Sequence, residues 1–326
     1  IDKARCTSCD MCDESCHAQH VVKSNSGDPE ALVAYNKDEK DRLSSSSGGI
    51  FIALARQTIS ENGLVYGAAL DSDMRVCHVR IDSMHDLHRL QGSKYVQSYI
   101  DPAIYTIVKA DLGAGRPVLY SGTPCQIGAL RRFLVSVPDN LTTVSFICHG
   151  VPSPLVWEKY IAWQEEQNGS KVCKASFRNK DNGWVNFSMK LHFENGKSYC
   201  KRNADDPYLQ VFLKNTCLRP SCYSCQYKGK QALSCIDIML ADKWGAVSGD
   251  LPNISDDKGI SVVLLQNDKA FSLWNKISEK LCFAQTSYTQ VINSNISYKV
   301  PAVASKYRGV FFEKIDVIFM KSLYAN

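Results

Sequence analysis

Cys6, Cys9, Cys12 and Cys16 stand at the spacing Cys-x2-Cys-x2-Cys-x3-Cys. Thiolates separated by such short loops wrap one face of a cubane cluster, so the run predicts a 4Fe-4S centre and electron transfer. Zinc is the competing reading, but zinc sites favour two separated Cys-x2-Cys pairs or mixed Cys/His sets. His17 follows Cys16 where ferredoxins usually carry proline, and only one run is present. The chain opens at Ile1, immediately before the run, so the partner half of a ferredoxin is expected upstream and the N-terminal cluster site is expected to be incomplete. His17 and His20 are further potential ligands, against a plainer role as solvated loop histidines.

A second set of thiols is spread along the chain. Cys222 and Cys225 form a Cys-x2-Cys pair behind Arg219-Pro220. Cys125 and Cys148 fall just past two short apolar stretches that read as strands, and ligands of open α/β sheets collect at that edge. The four together make a set that an iron-sulfur cluster and a structural zinc both accept. The ferredoxin-type run favours the cluster. A redox dithiol fits less well, because the pair follows a proline turn instead of opening a helix. Cys77, Cys173, Cys200, Cys217, Cys235 and Cys282 lie singly and read mostly as buried thiols, with Cys217 and Cys235 as reserve ligands.

The elements that must position these groups are legible in outline. Residues 23–30 read as a polar linker. Ser44 to Ser47 and Gly48-Gly49 lead into a helical stretch from Ile50 to Ile59, then a strand from Leu64 to Leu70, and backbone amides at such a helix start suit a phosphate. Pro117 to Tyr120 reads as a strand entering a helix over Gln126 to Leu134, with Thr123 as N-cap and Pro124 at the first helical position. Thr143 to Ile147 is a buried-type strand running into Cys148-His149-Gly150. Further strands are expected at Lys174 to Phe177, Val185 to Phe193, Ile236 to Leu240 and Ile260 to Leu265, and a helix at Lys269 to Leu281. The pattern is α/β with a mixed α+β character.

With 326 residues, 44% of them apolar, the chain is long enough for two domains. A net charge of +5 without a basic tract argues against nucleic-acid binding. No apolar run approaches the ~18 residues of a membrane span. Fourteen cysteines would suit disulfides in a secreted chain, but the ferredoxin-like spacing of four of them and the size of the chain point to metal ligation in a reducing compartment, hence a cytoplasmic protein. No signal peptide stands before the first cysteine in this sequence, although a missing N-terminus could hold one.

Seven blocks in order resemble the beta-subunit family of coenzyme F420 hydrogenases and dehydrogenases, in its bacterial branch. They are Ser45-Ser-Ser-Gly-Gly49, Gly92-Ser-Lys-Tyr-Val-Gln97, Ser121-Gly-Thr-Pro-Cys-Gln-Ile127, Ile147-Cys-His-Gly-Val-Pro-Ser153, Leu218-Arg-Pro-Ser-Cys-Tyr-Ser-Cys225, Ala241-Asp-Lys-Trp-Gly245 and Asp257-Lys-Gly-Ile-Ser261. Lys243 stands where similar bacterial sequences carry an aromatic residue. The resemblance implies an FAD-binding core carrying a 4Fe-4S cluster on Cys125, Cys148, Cys222 and Cys225. It implies flavin contacts from Ser47, Gly48, Gly49, Gly92, Ser93, Lys94, Tyr95, Asp242, Trp244, Gly245, Lys258 and Gly259. The organisation it implies is a partial ferredoxin-like module and linker over 1–40, an N-terminal flavin-domain portion over 41–115, a C-terminal FAD/4Fe-4S domain over 116–300 and a tail over 301–326.

The function expected is an iron-sulfur flavoprotein oxidoreductase. Clusters carry single electrons and flavin carries pairs, so the two together would reduce or oxidise a small organic substrate, with a donor protein or redox partner subunit and oligomerisation both open. Lys94 and His149 are the candidate catalytic groups, tuning the flavin or giving a proton, against plainer roles as a solvated lysine and a backbone-satisfied histidine. Trp184 and Phe187, near Arg178, are candidate pocket residues or simple hairpin packing. Two other readings are a subunit that oxidises or reduces coenzyme F420 within a larger complex, and a non-enzymatic zinc-stapled scaffold.

Overall fold

A computed structural model describes residues 6–7, 11–14, 16, 27–245, 251 and 256–316. Cys9, His17 and His20 lie outside the described residues.

The strands are β1 (Glu30–Asn36), β2 (Leu64–Leu70), β3 (Val76–Ile81), β4 (Val118–Ser121), β5 (Leu141–Phe146), β6 (Val172–Asn179), β7 (Ser188–Phe193), β8 (Ser198–Arg202), β9 (Ile238–Asp242), β10 (Ser261–Leu265) and β11 (Leu281–Gln285). The helices are α1 (Met11–Glu14), α2 (Glu39–Ser44), α3 (Ile50–Ser60), α4 (Pro102–Gly113), α5 (Pro124–Leu134), α6 (Pro154–Asn168), α7 (Pro207–Leu213), α8 (Lys230–Leu233), α9 (Asp268–Ile277), α10 (Tyr288–Ser294), α11 (Ile296–Lys299) and α12 (Arg308–Glu313).

Eight strands form one sheet in the order β11-β1-β10-β9-β5-β4-β2-β3. Its middle, β2-β4-β5-β9, is parallel, and the flanking pairs are antiparallel. This is the mixed α/β architecture expected from the alternation of short apolar runs and amphipathic segments. Successive residues face opposite sides of a strand, and the core divides accordingly. Val33, Tyr66, Tyr120 and Val262 pack on one face, while Leu32, Val65, Leu119 and Val263 pack on the other against α3 and α9. The sheet draws strands from both sides of residue 115.

Between β5 and β9 the chain makes a long excursion that carries an antiparallel sheet, β6-β7-β8, covered by α6 and α7. Trp157, Tyr160, Phe177, Met189 and Tyr208 fill a third core there, and Phe311 and Ile315 from the C-terminal segment pack into it. Trp157 Nε1 donates to Met74 O at 2.6 Å, which ties the excursion to the turn between β2 and β3. Among the described residues, no helix is long and apolar enough to cross a membrane.

Candidate functional site

A cavity of about 490 Å³ opens beyond the carboxyl ends of the parallel strands, within the size range of cofactor and small-ligand sites. One wall is the Ser-Gly block that starts α3. Gly48 has to be glycine because a Cβ there would lie 2.5 Å from Ala34 O and 2.9 Å from Ser261 N. Its N–H donates to Ser261 Oγ at 2.9 Å, so the block is seated directly on β1 and β10. Gly49, at φ 81°, is the N-cap of α3, and the eleven residues of that helix direct the positive end of their dipole toward the block.

The surrounding contacts hold the block's carbonyls away from the helix start. Lys180 Nζ donates to the carbonyls of Arg42, Ser47 and Lys258 at 2.8, 2.7 and 2.6 Å. Burial, with Arg178 and Arg42 nearby, pushes its pKa down to about 7. Arg42 in turn grips Asp256 through two N–H groups at 2.7 and 2.9 Å and donates Nε to Gly259 O. Ser46 Oγ meets Ser93 Oγ at 2.7 Å, which joins the block to the Gly92–Tyr95 segment.

The four thiols of the second set lie within electrostatic reach of one another, and Thr123, Ile147, His149 and Gly150, their neighbours in the chain, line the cavity. Thr123 and Gln126 form a reciprocal capping box with Pro124 at the first helical position, which fixes Cys125 in the first turn of α5. Thr123 Oγ1 lies 3.1 Å from Cys125 Sγ. Cys148 follows β5, and Lys228 Nζ donates to its carbonyl at 2.6 Å and to Ser297 O at 2.7 Å. Cys222 lies in a one-turn 3-10 helix, Pro220–Ser224, and accepts from Val151 N–H at 3.5 Å. Gly150, at φ 143°, leaves the room this requires, since a Cβ would be 2.8 Å from Leu218 Cδ1 and 3.3 Å from Cys222 Cβ.

Electrostatics links the set. Burial pushes the Cys148 thiol well above its ordinary range, and Cys125, Cys222 and Cys225 push it further against the pull of Lys228. Burial also raises Cys125, opposed by the Thr123 hydroxyl and reinforced by Cys225. Cys222 is raised by burial first and then by Cys125 and Cys225, against the Val151 N–H. Thiols raised in this way ionise when a cationic centre binds them. Among the described residues, no three or more Cys, His, Asp or Glu side chains are grouped closely enough to hold a single metal ion.

Of the N-terminal run, Cys6 and Cys12 are exposed and Cys16 is partly buried. Cys16 comes within electrostatic reach of Tyr227, which also senses Cys125 and Cys225. The run therefore ends near the second set.

The cavity is lined by Ser47, Gly49, Gly92, Ser93, Lys94, Tyr95, His149, Asp242 and Trp244 from the sequence-derived set. Gly48, Gly245, Lys258 and Gly259 do not line it. Gly48 sits against the sheet, Gly259 lies under Ser47, and the Lys258 ammonium turns outward to Glu39. Lys94 donates to the carbonyls of Arg89 and Gln91, both at 2.9 Å, and loss of hydration pushes its pKa down to about 7. Burial lowers His149 as well, and its Nε2 lies 2.6 Å from Asn215 Oδ1.

Sequence reasoning missed His78. It is buried on β3, bonded through Nε2 to Ser121 O at 3.0 Å and stacked on Tyr120, and burial pushes its pKa down to about 4. Its Nδ1 has no partner, and the residue lines the cavity. Phe187 also lines the cavity, whereas Trp184 stacks on Trp244 at 4.7 Å and donates to Ser46 O at 3.1 Å. Cys217 and Cys235 are buried, as expected of structural thiols, but Cys173 and Cys200 are exposed on the small sheet.

Residues 115–290 match the family model that describes the C terminus of the coenzyme F420 hydrogenase/dehydrogenase beta subunit. The chain is also similar in fold to a chain of the xenon-derivatised F420-reducing NiFe hydrogenase complex from Methanosarcina barkeri, at 20% identity and a TM-score of 0.54, covering 93% of this chain and 94% of that one. A comparison with curated proteins gave no match.

Proposed function

Because the chain belongs to the coenzyme F420 hydrogenase/dehydrogenase beta-subunit family, a family of oxidoreductase subunits, we propose that it is an FAD- and 4Fe-4S-dependent oxidoreductase acting on a small organic substrate. The observation that carries this reading is the convergence of Cys125, Cys148, Cys222 and Cys225, from distant parts of the chain, within electrostatic reach of one another and next in the chain to residues that line the cavity headed by the Ser-Gly block. Burial raises the thiols of Cys125, Cys148 and Cys222, and a set of four cysteines is what a cationic 4Fe-4S cluster takes as its ligands. With both groups bound, a cluster exchanges single electrons and a flavin exchanges pairs, which couples one kind of redox chemistry to the other.

The chain's own residues supply the rest. The amides at the start of α3 suit a diphosphate, and Lys180 keeps the Ser47 carbonyl turned away from it. Lys94, balanced near neutrality, can give or take a proton at the cavity wall. His149, the residue after Cys148, lines the cavity as a neutral hydrogen-bonding group. Cys16 and Tyr227 give the N-terminal run a route of approach to the second set.

The second reading, a subunit handling coenzyme F420 within a larger assembly, is favoured by the full-length fold likeness to a hydrogenase-complex chain. Anaerobic purification followed by iron, zinc and flavin analysis tests the main proposal. Iron and FAD in the wild type, with one cluster's iron lost in Cys125→Ser and Cys222→Ser, support it. Zinc without flavin, or unchanged iron in both variants, refutes it. Reduction assays with coenzyme F420 against viologen-coupled substrates separate the two readings.

A further inference from the structure

The cavity contains one group that the cofactor assignment leaves unused. Arg178 stands on β6 with its side chain 4% exposed. Its Nη1 donates to Asp242 Oδ2 at 2.6 Å, and its guanidinium lies over the Phe187 ring at 4.7 Å and the Trp244 ring at 5.4 Å. Nε and Nη2 form the other edge of the fork, with two N–H bonds directed the same way. Both are buried and neither makes a well-formed hydrogen bond, the Tyr95 hydroxyl being a neighbour that interacts with the guanidinium, and the residue lines the cavity.

Buried guanidinium N–H groups without well-formed hydrogen bonds are costly, and the best partner for that edge is a planar or tetrahedral oxyanion taken through two parallel bonds. The molecule contains the same arrangement internally, where the Nε and Nη2 edge of Arg56 holds Asp41 at 2.8 and 2.9 Å. Asp242 already occupies Nη1 and fixes the guanidinium, so the remaining edge is oriented in advance. Burial raises the pKa of the neighbouring Tyr95, with Arg178 pulling the other way; the Tyr95 ring packs 4.5 Å from Phe212, and His149 packs 5.2 Å from the same phenylalanine ring. Arg178, Tyr95, Phe212 and His149 all line the cavity. A separate anion-binding element, the start of α3, is available for the flavin phosphates.

We propose that Arg178 recognises the organic substrate of this protein, and that the substrate is an acid whose carboxylate or phosphate is taken by the Nε and Nη2 edge. This rests on the cavity being the flavin and substrate site. Asp242 is then a positioning residue that holds the guanidinium, and His149 faces the same bound molecule.

The test is calorimetric titration of the protein, loaded with its own iron and flavin, with benzoate, phenyl phosphate and the neutral isostere benzamide, and cofactor content is measured on the same samples. At least one anion is expected to bind ten-fold or more tighter than benzamide, with Arg178→Lys reducing that preference at least five-fold, Arg178→Gln abolishing it, and flavin and iron per chain unchanged. If Arg178→Gln does not fold, Arg178→Lys, which keeps the charge beside Asp242, decides the matter. Equal binding of all three probes, or a preference that survives both substitutions, overturns the proposal. Loss of flavin from the variants also overturns it and assigns the edge to the cofactor's phosphates. Wild-type protein that purifies without flavin refutes the cofactor reading instead, a result distinct from any of these.

Discussion

His149 Nε2 lies 2.6 Å from the side-chain oxygen of Asn215, and Asn215 itself sits in left-handed backbone at φ 58°. An amide oxygen accepts, so Nε2 carries the proton and Nδ1 is free to accept from the Ser297 hydroxyl 3.3 Å away. Burial, the largest influence on this ring, keeps it neutral, and Lys228 adds to that.

Asn215→Asp should convert this neutral ring into an imidazolium near pH 7. A carboxylate at hydrogen-bond distance favours the charged ring, so His149 should titrate roughly 1–3 pH units higher. The NMR titration of the His149 ring checks this, and an unchanged midpoint would show that Asn215 does not govern the ring.

Gly150→Ala should disturb the second thiol set specifically. The residue combines φ 143° with a close approach to Leu218 and Cys222, so a methyl group must displace one of them. A stability loss of about 1–3 kcal/mol is expected from the strained backbone, together with reduced iron per chain. Denaturant melts and iron assays on one preparation measure both.

Lys180→Met should loosen the Ser-Gly block, because three carbonyls lose one shared donor. Flavin retained through desalting should fall about ten-fold, the equivalent of ~1.4 kcal/mol. Retention equal to wild type would remove Lys180 from the cofactor's support.

Acidification should destabilise the protein through His78. Its folded pKa is depressed to about 4 from an ordinary 6.5, so between these values the unfolded chain binds the proton and the folded one does not. The contribution is complete above pH 6.5 and is lost as pH falls toward 4, by up to about 3 kcal/mol. His78→Gln should flatten this part of the stability curve, and denaturant midpoints at pH 7 and pH 4.5 for both proteins give the comparison.

Asp237→Ala should be among the most damaging substitutions outside the cavity. This fully buried carboxylate accepts from Thr143 N and Oγ1, both at 2.7 Å, from Asn267 Nδ2 at 2.6 Å and from Arg131 at 3.2 Å. Removing it leaves buried donors and a charge without partners, a loss of roughly 3–5 kcal/mol. Thermal melts check the magnitude.

Much of the scaffold was legible because local signals and tertiary structure agree. β2 runs from Leu64 to Leu70 as its apolar pattern predicts, and Thr123-Pro124 opens α5 with the expected cap. Where local pattern competed with partners elsewhere, the reading shifted. Val185 to Phe193 reads as one strand, yet β7 begins only at Ser188, because the amides of Trp184 and Val185 are drawn to Asp257. The helical pattern through Leu281 ends at Ile277, since Leu281 pairs with Asn36 and opens β11. Within the site, the strand-end thiols were visible in the sequence. The buried edge of Arg178 and the buried Nδ1 of His78 were not, because each depends on neighbours absent from its own segment.

Cys125 and Cys148 extend from the large sheet, whereas Cys222 and Cys225 belong to the excursion inserted between β5 and β9. Any centre that joins all four sulfurs is therefore also a rivet between two structural layers. Stripping it with a chelator would then do more than silence a redox signal, because the hinge it pins would be released and proteases would find the excursion before they found the sheet.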